Sequence, residues 1–377
     1  MKIVYCLNDI TCFGGIEIIT MLKVGYLARI PGNRVFLAIT EEMGEVPEQL
    51  SPLVSLIDLH VRYNDNKQAF PWNLVVLAYK RMQHKRRLSF YLKRIQPDIV
   101  VSTGNSEYAV LPGIKGNWKT VREFHLSKHY RLMDADSFSR RILARAAEFF
   151  DYHFIVKRYD QIVLLTQEDK DTYWRDDDHV RVIPNPTRFC PDKPSSLENK
   201  RIIAIGRLVY QKNFSSLLRC FAKICQLCPD WRLDIFGDGP ERISLQAQIA
   251  ELNIGNHVFL QGNTKHIQEE LAASSMIVST SRYEGFHLAL LEAMSCGLPV
   301  VSYVCPCGPK DLVRHGIDGF LVAPGDEEDL TDKILQLVQD DALRKRMGKA
   351  ALERSHAYSL PAIAPSWMAL FNDLLQS

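Results

Sequence analysis

The chain reads as α/β, with two parallel-sheet domains in succession, and three observations carry that reading. Short apolar runs alternate with stretches of helical period, which is the pattern of parallel strands flanked by helices. The alternation occurs twice over 377 residues, a length beyond what one hydrophobic core usually serves. Between the two series lies VIPNPTRFCPDKPSSLENK (182–200), rich in Pro, Ser and Asn, which is linker composition and places a hinge near 185–199.

The first half offers strands at KIVYCL (2–7), VFLAI (35–39), VSLIDL (54–59), DIVVS (98–102), TVREF (120–124) and IVLLT (162–166). A helix to about Arg29 and a long basic helix separate them. The second half offers RIIAIG (201–206), RLDIFG (232–237), VFLQG (258–262), MIVST (276–280) and PVVSY (299–303), with helices reaching Cys228 and Asn253 between them. SLPAIAPSWMALFNDLLQS closes the chain as an amphipathic helix.

Composition excludes several classes. Forty-six bases against forty-four acids give a net charge of +2, so the chain as a whole has no nucleic-acid footprint. Nine scattered cysteines suit reduced thiols, and neither Cys225/Cys228 nor Cys305/Cys307 is completed to a four-ligand zinc set. No run of 18 apolar residues is present, and MKIVYCLNDI is too soon interrupted by polar residues to read as a signal peptide. The expected place is the cytosol, including the inner face of its membrane. One local asymmetry supports the second location. Between Asp65 and Asp98 there is no acid, while Lys67, Lys80, Arg81, Lys85, Arg86, Arg87, Lys93 and Arg94 are interleaved with Phe70, Trp72, Tyr79, Phe90 and Tyr91. Residues 67–94 thus resemble a basic amphipathic helix for anionic lipid; a solvated helix face is the alternative.

In open α/β sheets ligands bind beyond the carboxyl ends of the strands, so the strand-to-helix junctions carry the chemistry. After the first strand, Gly14 and Gly15 open a helix and admit close approach of a ligand to backbone. After RIIAIG come Arg207 and Lys212, two cations able to clamp a diphosphate. Gly237-Asp238-Gly239-Pro240 is a turn signature of little weight alone. After MIVST comes SRYEGFHLALLEAMSCGLPVV (281–301), with Glu284 expected at a helix start and Glu292 on its second turn. On a helix, eight residues span roughly 12 Å with about 80° between the side chains, so one elongated ligand touches both. The amides of Phe286, His287 and Leu288 would face a phosphate at the helix start. Two solvated surface carboxylates are the plainer alternative.

GGIE (14–17), GRLVYQKN (206–213), GDGPE (237–241), EGFHLALLEAMSCGLPVV (284–301) and GIDGFLVAPGD (316–326), in this order, resemble the retaining glycosyltransferases of family 4. The resemblance implies two Rossmann-like domains facing a cleft, the glycosyltransferase type B fold. Residues 1–185 would be the acceptor side, with 361–377 packing back on it, and 200–357 the nucleotide-sugar side. It implies that Glu284 binds donor-sugar hydroxyls, that Glu292 holds the ribose, that Arg207 and Lys212 neutralise the diphosphate, and that the Gly15 amide approaches it. His287 and Leu288 align with residues whose amides contact sugar or phosphate, and His287, where the family has EGFG or EGFP, adds a donor near the sugar. His125, in REFHLSK, aligns with a histidine facing the reacting sugar; a strand-end histidine satisfied by packing is the alternative.

The implied reaction is transfer with retention at the anomeric carbon, with no positioned nucleophile, and with the two cations and the helix start in place of a metal. No metal and no cofactor beyond a nucleotide-sugar substrate, a UDP-sugar by preference, are expected. Asp134-Ala135-Asp136 and Asp176-Asp177-Asp178 read as surface loops rather than cation sites. CPCGPKDLV (305–313) is similar to segments of bacterial members that build surface glycans, which directs the expected acceptor to a glycan or lipid-pyrophosphate-linked glycan of capsule or lipopolysaccharide. The rivals are a UDP-sugar epimerase of the same architecture, a nicotinamide dehydrogenase, which lacks its G-x-G-x-x-G here, and an inactive nucleotide-binding protein.

Overall fold

The computed structural model describes residues 1–10, 14–41, 47, 50–65, 72–135, 137–175, 177–189, 191 and 193–376. The first sheet is built from β1 (Lys2–Leu7), β2 (Arg34–Ile39), β3 (Ser55–Asp58), β4 (Ile99–Ser102), β5 (Lys119–Glu123), β6 (Gln161–Leu164) and β7 (Val180–Val182), in the order β3-β2-β1-β4-β5-β6-β7. The second contains β8 (Arg201–Ile205), β9 (Arg232–Phe236), β10 (Val258–Gly262), β11 (Met276–Ser279), β12 (Val300–Tyr303) and β13 (Gly319–Val322), in the order β10-β9-β8-β11-β12-β13. Every pairing between these strands is parallel.

Parallel sheets covered on both faces need apolar residues at successive positions, and the strands comply. In β1, Ile3, Tyr5 and Leu7 face one core while Val4 and Cys6 face another. In β8, Ile202 and Ala204 face one core and Ile203 the other. The order reverses at β1 and again at β8, so each sheet has its topological switch point beyond the strand that opens it. Those are the junctions that carry Gly15 and Arg207. β7 and β13 were not anticipated as strands: VRV is short and polar, and GFLV is hidden among glycines.

The 183–200 linker is pinned to the second domain. Ser195 N–H donates to the Cys296 carbonyl (2.8 Å), the Arg344 guanidinium donates to the Leu197 carbonyl (3.1 Å), and Leu197 is buried in that domain's core. The chain crosses again near Tyr358, whose carbonyl accepts from Thr187 N–H (2.8 Å), tying the two crossings together. The helix Leu360–Gln376 then returns to the first domain, where Ile363, Trp367, Leu370, Phe371 and Leu374 join the core of Ile3, Tyr5 and Val24.

Candidate active site

The site is assembled where the carboxyl ends of the two sheets meet. The helix behind the two glutamates runs only over Leu288–Ser295, so Glu284 lies in the loop after β11 and not in the first helical turn that its spacing predicts. Straight-helix arithmetic therefore does not apply between Glu284 and Glu292. The loop is fixed from three sides. Glu284 N–H donates to the Pro306 carbonyl (3.1 Å), the Gln211 amide donates to the Tyr283 carbonyl (2.8 Å), and the Tyr283 hydroxyl donates to Asp134 of the first domain (2.8 Å). Asp134 is exposed in a bend, as the surface-loop reading expects, and makes an interdomain contact besides; Asp136 and Asp176 lie outside the described residues.

Gly285 explains why this position carries no side chain. A Cβ there would overlap the His125 carbonyl and stand 2.7 Å from the Leu126 Cα, so the loop and the strand end of the opposite domain touch backbone to backbone. Gly15, exposed at the start of the helix Gly15–Arg29, faces the same cleft: its Cβ position is 3.4 Å from a Leu288 methyl. Gly15, His125, Glu284 and Leu288 therefore converge, although they come from different domains.

Glu284 is nearly buried and paired with Lys212, whose Nζ lies 2.6 Å from its carboxylate. Burial pushes the carboxyl up, but Lys212 and then His287 outweigh it and hold Glu284 below its ordinary range, so it is ionised. His287 does not reach toward a ligand as the sequence suggests. Its imidazole is 2 % exposed, with Nε2 bonded to the Ser279 hydroxyl (2.6 Å) and 3.5 Å from Glu284. Burial lowers it to about 4, so it is neutral at physiological pH and acts as a wedge behind Glu284. The expected row of three amides is shortened to two, because Leu288 N–H already donates to the Phe286 carbonyl (2.8 Å). Phe286 itself packs into the core against Tyr358.

Arg207 is exposed, at the tip of the junction after β8. The Gly237-Asp238-Gly239-Pro240 turn, unremarkable in sequence, holds that junction: Leu208 N–H donates to the Asp238 carbonyl (3.0 Å), and Cβ atoms at Gly237 or Gly239 would overlap the Gly206 or Leu208 carbonyl. Only glycine lets the two turns stack.

Glu292, 3 % exposed, is met by an arginine that the sequence reading missed. Arg188, from the linker, places Nε 2.5 Å from one carboxylate oxygen and Nη2 3.2 Å from the other, with its guanidinium 4.5 Å from the centre of the Phe189 ring. Burial raises the Glu292 carboxyl, with Arg188 opposing. The available signal was modest: Arg188 is the lone cation in the PNPTRF stretch of a supposed linker.

His125 lies two residues beyond the end of β5 with its imidazole nearly enclosed, 3.5 Å from Glu123, which is itself ion-paired to buried Lys23. Burial takes His125 to about 4 and its Nε2 lacks a hydrogen-bond partner. It borders a cavity of about 60 Å³ whose wall includes Ile16, Tyr108, Phe124, Lys128 and Tyr130. Among the described residues no group of His, Cys, Asp or Glu is arranged to hold a metal ion.

Residues 189–354 match the family described as glycosyl transferases group 1. The chain is 37 % identical over 225 residues to an exopolysaccharide phosphotransferase of Streptomyces coelicolor, covering 57 % of this chain and 24 % of that protein. It is 31 % identical over 222 residues to the amylovoran biosynthesis glycosyltransferase AmsD of Erwinia amylovora, covering 56 % of this chain and 62 % of the relative. The matches thus span from about a quarter to three-fifths of these relatives. A crystal structure of Staphylococcus aureus TarM in complex with fondaparinux, alpha-GlcNAc-glycerol and UDP has the same fold, with a TM-score of 0.79 at 16 % identity over 98 % of this chain and 99 % of that one. The match over residues 189–354 coincides with the second sheet and the loop that carries Glu284, and the fold is the two-domain type B scaffold.

Proposed function

We propose that the chain is a retaining glycosyltransferase that moves a hexose or N-acetylhexosamine from a UDP-sugar to a glycan or lipid-linked glycan acceptor in surface polysaccharide synthesis. The observation that carries this reading is the Lys212–Glu284 pair: an ionised, nearly buried carboxylate and a cation held 2.6 Å apart at the junction of two parallel sheets. Glu284 is suited to accept hydrogen bonds from donor-sugar hydroxyls. Lys212, Arg207 and the Phe286 and His287 amides are suited to charge building on a departing diphosphate, where fixed donors act without reorganisation. In the step, the bond from the anomeric carbon to the diphosphate oxygen breaks and a bond to the acceptor oxygen forms on the same face. The acceptor hydroxyl proton passes to the departing phosphate, so no protein base is required. Glu292 holds the ribose hydroxyls.

The cavity beside His125 fits the acceptor side, with aromatic walls for a sugar face and cations at its rim. UDP and a GlcNAc derivative are bound by TarM, which supports the donor class. The exopolysaccharide and amylovoran names support the acceptor class. Peripheral contact with an anionic membrane through 67–94 belongs to the same reading; of that stretch 67–71 lie outside the described residues, and 72–94 form a helix without an acid. Among the described residues no helix is long and apolar enough to cross a membrane.

The test is calorimetric binding of UDP, GDP, ADP and NAD, with and without EDTA. Selective, EDTA-insensitive binding of UDP that is followed by glycosyl transfer from a UDP-sugar is expected. Binding of NAD alone, or of no nucleotide, overturns the reading.

A further inference from the structure

Two charges stand where the pattern of the first domain puts apolar residues. Successive side chains of β5 alternate between the faces of the sheet, so Glu123 points the same way as Val121, into the core of Tyr5, Val24 and Trp367. Lys23 meets it there from the helix Gly15–Arg29. Both are buried, and the closing helix covers their ion pair with Trp367, whose ring centre is 4.8 Å from Lys23 Nζ. Such a pair is a poor device for stability, because desolvation offsets most of the attraction and well-packed apolar residues in its place are often as stable. Its satisfaction is also incomplete: among the described residues Glu123 Oε2, the Tyr5 hydroxyl and His125 Nε2 have no hydrogen-bond partner. What the pair reaches is the cleft. Glu123 Oε1, the oxygen bonded to Lys23, lies 3.5 Å from His125 Nε2, and His125 borders the cavity. Gly15, which faces the same cleft, opens the helix that carries Lys23.

We propose that Lys23 and Glu123 are positioning residues for the transfer: their ion pair holds His125 with its proton on Nε2, toward Glu123, and so leaves Nδ1 bare as the acceptor for a hydroxyl of the sugar in the cleft. A lone pair on Nε2 would face an ionised carboxylate oxygen and be repelled, whereas an N–H there is attracted, and the partner of one ring nitrogen sets the state of the other. Lys23 lets Glu123 stay ionised without taking a proton from the histidine. Burial pushes that carboxyl up, but Lys23 and then His125 outweigh it and hold it below its ordinary range. The remaining groups around the ring are engaged elsewhere or neutral. Arg122 donates to the Ser102 hydroxyl (2.7 Å) and Lys128 to the Tyr173 carbonyl (2.8 Å), while across the cavity Glu148 is met by His129 (2.7 Å) and Asp151 by Arg131 (2.5 Å). Burial keeps the Tyr5 phenol protonated.

Removing the lysine alone changes the protonation of the other two. Glu123 then has His125 as its nearest cationic partner, and the two share one proton that leaves closer to neutrality than either does in the wild type. Wherever that proton sits, the arrangement is lost. On His125 it turns the Nδ1 acceptor into a donor, and on Glu123 it removes the charge that orients the ring. Removing both charges together leaves nothing to titrate and nothing stranded in the core.

The inference rests on the glycosyltransferase reading for its effect on turnover, so its first test uses none. Nitrogen NMR of the full chain with labelled histidine, His125 being assigned by the signals lost in His125→Gln, should show a neutral ring protonated on Nε2 near neutral pH. A proton on Nδ1 instead, or on both nitrogens, overturns the proposal whatever reaction the protein performs. In transfer from a UDP-sugar, Lys23→Met should lower kcat/KM by about 10- to 100-fold at pH 6 and recover toward pH 9, an acid limb absent from the wild type. UDP affinity should stay within about twofold, since the nucleotide shares no partner with Lys23. Lys23→Met combined with Glu123→Gln should keep the wild-type Tm to within a few degrees, and be impaired equally at every pH. A double variant as active as the wild type, or a Lys23→Met profile without the acid limb, overturns the proposal. A wild type that binds no nucleotide and transfers no sugar removes the glycosyltransferase reading and leaves the NMR result standing, so the two failures are told apart.

Discussion

Arg188→Gln tests the electrostatics of the nucleotide half of the site most directly. The substitution removes the cation from Glu292 but keeps a hydrogen-bonding side chain of similar length. Arg188, from the linker, is the charged group set against Glu292; the Cys296 thiol, just past the end of the Glu292 helix, is pushed up to about 12 by burial and is neutral. Burial already raises Glu292 with Arg188 in place. Without it the carboxyl climbs further, because an unpaired buried carboxylate costs several kcal/mol and protonation avoids that cost. A protonated Glu292 exchanges charge-assisted hydrogen bonds to ribose for neutral ones, a difference of about 1–2 kcal/mol. UDP should then bind about 5- to 30-fold more weakly near neutral pH. The sign with pH follows. Ionisation restores the acceptor, so the deficit should be largest at pH 6 and shrink toward pH 9, while Arg188→Lys recovers part of the affinity throughout. Calorimetry across that range is the assay. Tighter binding in Arg188→Gln would mean that the guanidinium competes with ribose for Glu292, and an equal deficit at every pH would mean that it acts only through linker shape.

Two further outcomes are expected. Gly285→Ala forces a methyl into the His125 carbonyl and must part the two domains locally; kcat/KM should fall by about 100-fold, with far-UV circular dichroism unchanged, since small misplacements of reacting groups have effects of that order. His84, His125 and His287 are each held at about 4 by burial, below the 6.5 of an unfolded histidine. The unfolded chain therefore binds more protons between those values, and stability present above pH 6.5 is lost as pH falls toward 4, at up to about 1.4 kcal/mol per pH unit for each imidazole. A Tm that stays level from pH 7 to 5 would show that these rings are not enclosed.

Much of the architecture was legible because parallel sheets write themselves as separate apolar runs, and β1, β8 and β10 stand where those runs end. Glu284, Lys212, Arg207 and Gly15 stood out as candidates for a related reason: each lies in the stretch between such a run and the helix after it, or opens that helix. What escaped was information carried by contact between distant segments. Arg188 meets Glu292 across 104 positions of sequence, and Tyr283 meets Asp134 across 149. No periodicity connects them. The outward apolar face of the helix Phe138–Phe150 escaped by another route, because amphipathicity in a sequence says that a helix has an apolar side but not whether that side faces the core. His287 shows the limit of motif reasoning: its side chain fills the space behind Glu284 instead of reaching toward a ligand.

The two halves of the proposed chemistry meet in one contact, and that makes their separation measurable. If Lys212 acted on the diphosphate alone and Glu284 on the sugar alone, Lys212→Met and Glu284→Gln would depress kcat/KM independently and their effects would add. The 2.6 Å pair ties the two residues together. Lys212→Met leaves Glu284 enclosed with no cation against burial, so the carboxyl shifts up and part of its acceptor strength is lost with the lysine; Glu284→Gln in turn frees the ammonium from its ionic partner. The double variant should therefore be less impaired than the product of the single effects, with a coupling of about 1–3 kcal/mol, a factor of roughly 5 to 150 in kcat/KM. Neighbours this close couple, whereas sites without shared partners add to within about 0.3–0.5 kcal/mol. Additivity within that margin would show that the pair parts when donor binds and that each residue then works on its own portion of the ligand.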